Sequence, residues 1–237
     1  MNSLSDNQVS LYEEPVQEKI RKFIKIEFLL NKIYYFKGKD DKNENYTALL
    51  ALCELYEILS RSDIKSELIR EIETQNTYLK TIKKIPQTDS SKLNSVLEKQ
   101  DQLLKLIYSI EVNYLDHLER DVLFKTILKN SFTQLQPASI DFWLSRDILN
   151  RETQINLWLE PLIFIKRSID FILEVIRKSG RFEDRMAEKG FFIEKLDQKK
   201  NILLIRVTLT SDLYYYPQIS VGKQRLTIMF MTKDDKN

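Results

Sequence analysis

Apolar residues recur at helical spacing over the first three quarters of the chain and alternate near its end. Residues 4–12 (LSDNQVSLY) partly alternate and form a candidate strand. Pro15 occupies what reads as a first helical position, preceded by Glu13 and Glu14, whose charges suit the positive end of a helix. Val16, Ile20, Phe23, Ile24, Leu30 and Ile33 then mark one face of a helix over 15–36. A polar loop (GKDDKNEN, 38–45) separates it from a second helix over 46–60, with Ala48, Leu52, Leu55 and Leu59 on one side. Ser62 or Asp63 starts a third, whose stripe is Ile64, Leu68, Ile72, Leu79 and Ile82, with Pro86 beyond its end. A fourth begins at Asp89-Ser90-Ser91 and carries Leu93, Leu97, Leu104, Ile107 and Tyr114 at spacings that suit a long, bundle-like helix. Residues 119–130 predict a further short helix. Pro137 interrupts the pattern, and SIDFWL (139–144) forms a second candidate strand. Asn150 is read as the cap of a helix ending at Leu159, and 162–178 as a helix closed by Gly180.

After Gly180 the period changes. Segments 190–196 (GFFIEKL), 202–209 (ILLIRVTL) and 225–231 (RLTIMFM) are rich in β-branched and aromatic residues, with turn-like sequence at 197–201 and 220–223. The pattern predicts an α+β protein: a mostly helical, bundle-like domain over 14–180 and a smaller antiparallel β-sheet domain formed mainly by the C-terminal segment, 181–237. Residues 4–12 and 139–144 are candidates to join that sheet.

Composition then narrows the chemistry. The chain has 237 residues, of which 43% are apolar, so composition does not make it disordered. One cysteine, Cys53, and one histidine, His117, leave no four-ligand Cys/His zinc site and no intrachain disulfide. Its four glycines cannot spell either common phosphate-binding loop, G-x-G-x-x-G or G-x-x-x-x-G-K-[ST]. The most apolar long stretch, 157–176, carries five charged residues and a proline, which argues against a membrane span. The N-terminus lacks the features of a signal peptide, and the expectation is a cytoplasmic protein without metal or cofactor.

The formal charge is only +2, so any anionic partner must be held by a local patch. Three patches stand out. Arg21, Lys25 and Lys32 lie on the face opposite the first apolar stripe, either awaiting an acidic ligand or simply solvated. Arg61 and Lys65 bracket the start of the third helix, where the helix terminus itself favours anions. From Lys199 to the end, seven basic residues against three acidic give a local excess of +4. Alternation there places Arg206 and Arg225 on the face away from the core, with Lys223 extending the row. The ordinary alternative is a polar outer face of a sheet.

Other features carry less. Tyr214, Tyr215, Tyr216 and Pro217 form an aromatic cluster at a loop, suited equally to a partner interface or to capping a sheet end. His117, in LDHLERD, reads as a surface histidine with acidic neighbours more readily than as a general base. Cys53, Trp143 and Trp158 read as core. No pair of carboxylates is marked by its spacing, so a hydrolase has no support.

Three segments together resemble one family. They are YEEPVQEKIRKFIKIEFLL (12–30), RSDIKSELIREIE (61–73) and YPQISVGKQRLTIMFM (216–231), with INLWLEPLIFIKRSIDFILEVIRKS (155–179) also fitting. They look like the ZapD family of cell-division proteins, associated with the tubulin-like protein FtsZ. The resemblance implies a helical domain with a β-domain, a homodimer, no enzymatic activity, and a place at the midcell division site. It also implies binding of the short C-terminal peptide of FtsZ and cross-linking of its filaments. The family's basic surface falls here on Arg21, Lys25, Arg61 and Arg225. Lys65, Arg206 and Lys223 join the candidate set from the charge patterns above. A nucleic-acid-binding module using the basic sheet face is the alternative, with the tyrosine cluster to stack bases. The near-neutral charge and the lack of an RNP-like aromatic pattern weigh against it.

Overall fold

Side-chain caps start several of the helices. In the computed structural model, which describes residues 9–83, 89–130, 138–197, 200–210, 215–222 and 224–232, aspartates at 41, 63, 89 and 147 each accept a hydrogen bond from a backbone N–H in the first turn that follows. The described elements are strand β1 (Val9–Pro15) and helices α1 (Glu18–Phe36), α2 (Lys42–Ser60), α3 (Ile64–Ile82), α4 (Ser90–Ser109), α5 (Asp116–Arg120), α6 (Val122–Asn130), α7 (Ala138–Leu144), α8 (Ile148–Leu159) and α9 (Ile163–Ser179). A single 3-10 turn joins α8 to α9, and strands β2 (Phe191–Lys195), β3 (Leu204–Thr210), β4 (Tyr215–Val221) and β5 (Arg225–Thr232) follow. The protein is mostly helical, with small antiparallel sheets built mainly from its C-terminal segment.

The chain divides into two compact units. One comprises residues 23–174, the other residues 1–22 with 175–237. The helical unit has a dry core. Leu29, Leu30 and Ile33 of α1, Leu49, Leu52 and Leu55 of α2, and Ile64, Leu68 and Ile72 of α3 are essentially inaccessible to solvent. Trp158 is buried beside Phe124, ring centroids 5.6 Å apart and edge to face, and Tyr56 meets Phe124 in the same way at 5.5 Å. Such ring pairs add about 0.5–1.5 kcal/mol beyond their burial. Asp121 ties this cluster together: it accepts from the Phe124 backbone N–H at 2.8 Å and from the Trp158 indole N–H at 3.0 Å.

The sheet unit holds two separate ladders, a ribbon β1–β3 and a three-stranded sheet ordered β2–β5–β4. In the ribbon Glu13 faces Arg206 and Pro15 faces Leu204. In the sheet, Leu226 and Ile228 turn their side chains to the buried face.

Several local expectations are corrected. Pro15 ends β1, and α1 starts at Glu18. Asp147, not Asn150, caps α8, and α4 stops at Ser109, short of Tyr114. Segment 119–130 holds the end of α5 and then α6. The candidate strand at 139–144 is helix α7, whose buried residues Ile140, Trp143 and Leu144 show the three-then-four spacing of a helix face. The candidate strand at 4–12 is found at Val9–Pro15, residues 4–8 lying outside the described part. Tyr215 to Val221, read as a loop and turn, is strand β4. Pro217 is tolerated there because, among the described residues, β4 pairs on one side only, with β5.

Candidate functional site

The outer face of the three-stranded sheet is set by strand alternation. Register pairs Phe191 with Met229, Ile193 with Thr227 and Lys195 with Arg225, and on the other side Ser220 with Thr227. These side chains share the face opposite Leu226 and Ile228. A shallow concavity of about 540 Å³ lies over them, lined by Ile193, Lys195, Ser220, Gly222, Gln224, Arg225 and Thr227. Among the described residues its lining holds two cations and no carboxylate. Lys195 and Arg225 stand directly opposite each other on neighbouring strands, an arrangement that costs stability when nothing negative lies between. Large apolar side chains beside it are open to solvent, Phe191 by 50%, Ile193 by 60% and Tyr216 by 51%.

The other candidate cations have different settings. Arg206 does not continue the Arg225 row, because β3 belongs to the ribbon and β5 to the three-stranded sheet. Nor does it face open solvent. Its Nε lies 3.2 Å from a Glu13 oxygen, Nη1 donates to the Arg177 carbonyl at 2.9 Å, and its guanidinium stacks 4.9 Å from the Phe182 ring centre. Arg177 also grips Glu13, donating from Nε at 2.9 Å and from Nη2 at 2.8 Å. Arg206 therefore belongs to a half-buried two-arginine clamp on one carboxylate. Arg21, in the same unit, donates to Glu14 at 2.9 Å and to the Pro15 carbonyl at 3.0 Å, with about half of its side chain exposed. Lys223 lies outside the described residues.

In the helical unit, Lys25 pairs with Glu54 at 2.6 Å, and its ammonium stands 5.6 Å from the Phe28 ring centre. Arg61 is widely exposed and pairs with Glu57 one turn back. Lys65 donates to the Ile110 backbone carbonyl. The start of α3 is already occupied by its own cap, Asp63, whose carboxyl is drawn below the usual range by hydrogen bonds from Ser66. That terminus is thus satisfied from within, and among these cations Arg61 projects furthest.

His117 is not a free surface imidazole. Its two ring nitrogens each lie 3.0 Å from a backbone carbonyl, those of Tyr114 and Trp158, so it bridges two elements. Cys53, Trp143 and Trp158 are buried, as their setting among apolar residues predicts. Among the described residues no group of His, Cys, Asp and Glu is arranged to hold a metal ion. No helix among them is long and apolar enough to cross a membrane.

Lys195 was not legible as a candidate. Its segment reads correctly as a strand, but only the register shows that it stands beside Arg225.

Comparison with known proteins places the chain among cell-division proteins. The family model described as ZapD, cell division protein, matches residues 24–229. Proteins named cell division protein ZapD align along nearly the whole chain. That of Methylococcus capsulatus is 29% identical over 95% of this chain and 90% of its own. Those of Pectobacterium carotovorum (28%, over 96% and 91%) and Azoarcus sp. (27%, over 93% and 89%) are similar. The chain belongs to the ZapD family.

Proposed function

We propose that this protein binds the C-terminal tail of FtsZ and, as a homodimer, cross-links FtsZ filaments at the division septum. The observation that carries the reading is the exposed Arg225 on a sheet face whose concavity holds, among the described residues, cations and no carboxylate. A flexible tail with acidic and apolar positions suits that face: its carboxylates meet the guanidinium, and its apolar side chains meet Ile193 and Tyr216. Arg21 in the same unit, and Lys25 and Arg61 in the helical unit taken by itself, are proposed as further contacts for FtsZ. Each charge-assisted hydrogen bond contributes about 1.5–3 kcal/mol before ordering costs. A micromolar single site, about −8 kcal/mol, follows. Two such sites per dimer bridge two filaments, and many weak bridges along polymers give avidity while each contact still exchanges. The protein acts without catalysis, in the cytoplasm at midcell.

The test is co-sedimentation of FtsZ polymers with the protein. Arg225→Glu is expected to abolish bundling while the circular dichroism spectrum and the sedimentation coefficient of the dimer stay unchanged. Bundling by the native protein is expected to fall as ionic strength rises, because exposed charge contacts are screened. Full bundling by Arg225→Glu removes Arg225 from the site.

A further inference from the structure

The three-stranded sheet has two rims, and its hydrogen bonds determine which backbone groups look outward. Phe230 N–H donates to the Gly190 carbonyl and Leu196 N–H to the Gln224 carbonyl, both at 2.9 Å. In the antiparallel register, Phe192 faces Ile228 and Glu194 faces Leu226. Positions 190, 192, 194 and 196 are therefore the hydrogen-bonded ones, and alternation turns the N–H and C=O of Ile193 and Lys195 away from β5. Among the described residues no strand pairs with that side of β2. Both residues are exposed.

Sheet edges are normally blunted, because an open row of donors and acceptors recruits other chains. Along β2 the N–H and C=O of half-exposed Phe191 are both taken by Glu188, so the open row is that of exposed Ile193 and Lys195. The same strand supplies Lys195, register partner of Arg225. Among the described residues neither cation forms an ion pair. Hydrogen-bonding edge, apolar side chains and unneutralised positive charge thus converge on one strand.

We infer that β2 takes up an acidic peptide in extended form, as a fourth strand of the sheet. The inference rests on the tail-binding reading above and specifies its mode, with Lys195 as a further binding residue. Main-chain hydrogen bonds to Ile193 and Lys195 supply the framework. Alternate peptide side chains fall on the outer face, where a carboxylate reaches Lys195 and Arg225 and an apolar residue meets Ile193. A helical peptide offers no such main-chain groups and does not fit this mode.

Calorimetric titration with a synthetic FtsZ tail peptide tests it. Ile193→Pro removes one outward N–H and leaves the β5 side of the strand its bonds, a substitution that edges tolerate. It is expected to weaken peptide binding about tenfold, the worth of one or two main-chain hydrogen bonds, with the dichroism spectrum retained. Lys195→Ala is expected to weaken binding and flatten its salt dependence. A ladder of singly N-methylated peptides is expected to lose affinity at every second position. If Arg225→Glu abolishes binding but Ile193→Pro and every N-methylated peptide bind like the unmodified pair, the site stands and the strand mode is overturned. If Arg225→Glu binds as tightly as the native protein, the site reading itself falls. Should Ile193→Pro unfold, the ladder on the native protein decides alone. A change of oligomeric state in Ile193→Pro without loss of peptide affinity assigns the edge to a second copy and likewise overturns the inference.

Discussion

Glu13 and Arg206 are register partners on β1 and β3, and the carboxylate of the first is shared between the guanidinium of the second and that of Arg177. One negative charge from the N-terminal end of the chain thus holds together two positive ones from its C-terminal part. With side chains only 17–27% exposed, these groups are shielded enough for the contact to count.

Removing that charge leaves two arginines facing each other. Glu13→Ala is expected to lower stability by about 1–3 kcal/mol, and Glu13→Gln by somewhat less, because an amide still accepts a hydrogen bond. Urea unfolding followed by dichroism measures both. An unchanged midpoint for Glu13→Ala contradicts the clamp.

Burial pushes the Tyr114 phenol up to about 12, with the Asp63 charge adding to the effect. Its folded-state value is thus above the ordinary 10, so the unfolded chain releases this proton first. The stability it contributes is intact below pH 10 and is lost as pH rises from 10 towards 12. Tyr114→Phe is expected to lose less stability than the native protein between pH 9 and pH 11. Parallel urea midpoints at the two pH values decide the matter.

Asp63 caps α3, accepting from the Ser66 N–H at 3.2 Å. Asp63→Ala is expected to cost about 0.5–2 kcal/mol at neutral pH. The carboxyl is held below its ordinary 3.8, chiefly by hydrogen bonds from Ser66 with help from Arg70 and Lys65. Its contribution is therefore present above that ordinary value and fades as pH falls through the lower folded one. The gap between native and variant midpoints should close as the pH falls below that lowered value. A gap that persists there means that the side chain matters for something other than its charge.

The helices were legible because their signals are local. Asp63 and Asp89 before apolar periods, and the buried Leu52, Leu55 and Leu59 of α2, follow from neighbours three and four residues away. Short segments were ambiguous: SIDFWL holds few enough residues that alternation and helical spacing both fit, and packing decided for the helix. β4 was hidden by Pro217, which excludes a central strand but not an edge strand. The pairing of strands was the least legible. β1 meets β3 across most of the chain length, so no local pattern shows that Arg206 opposes Glu13 or that it leaves Arg225 on another sheet. The cationic character of the C-terminal segment was readable, whereas its division into a clamp and an open face was not.

Pro217 also has a consequence for how large an assembly this sheet can seed. Hydrogen-bonded pairs on the β5 side, fixed by Gly222 donating to Arg225, direct Pro217, Ile219 and Val221 to the far flank, and the first of these has no hydrogen to give. That flank is a poor template for another backbone, so accretion of strand upon strand stalls there. In the bridging role proposed above, any higher-order lattice takes its repeat from the polymer being joined, not from self-propagating growth of the linker.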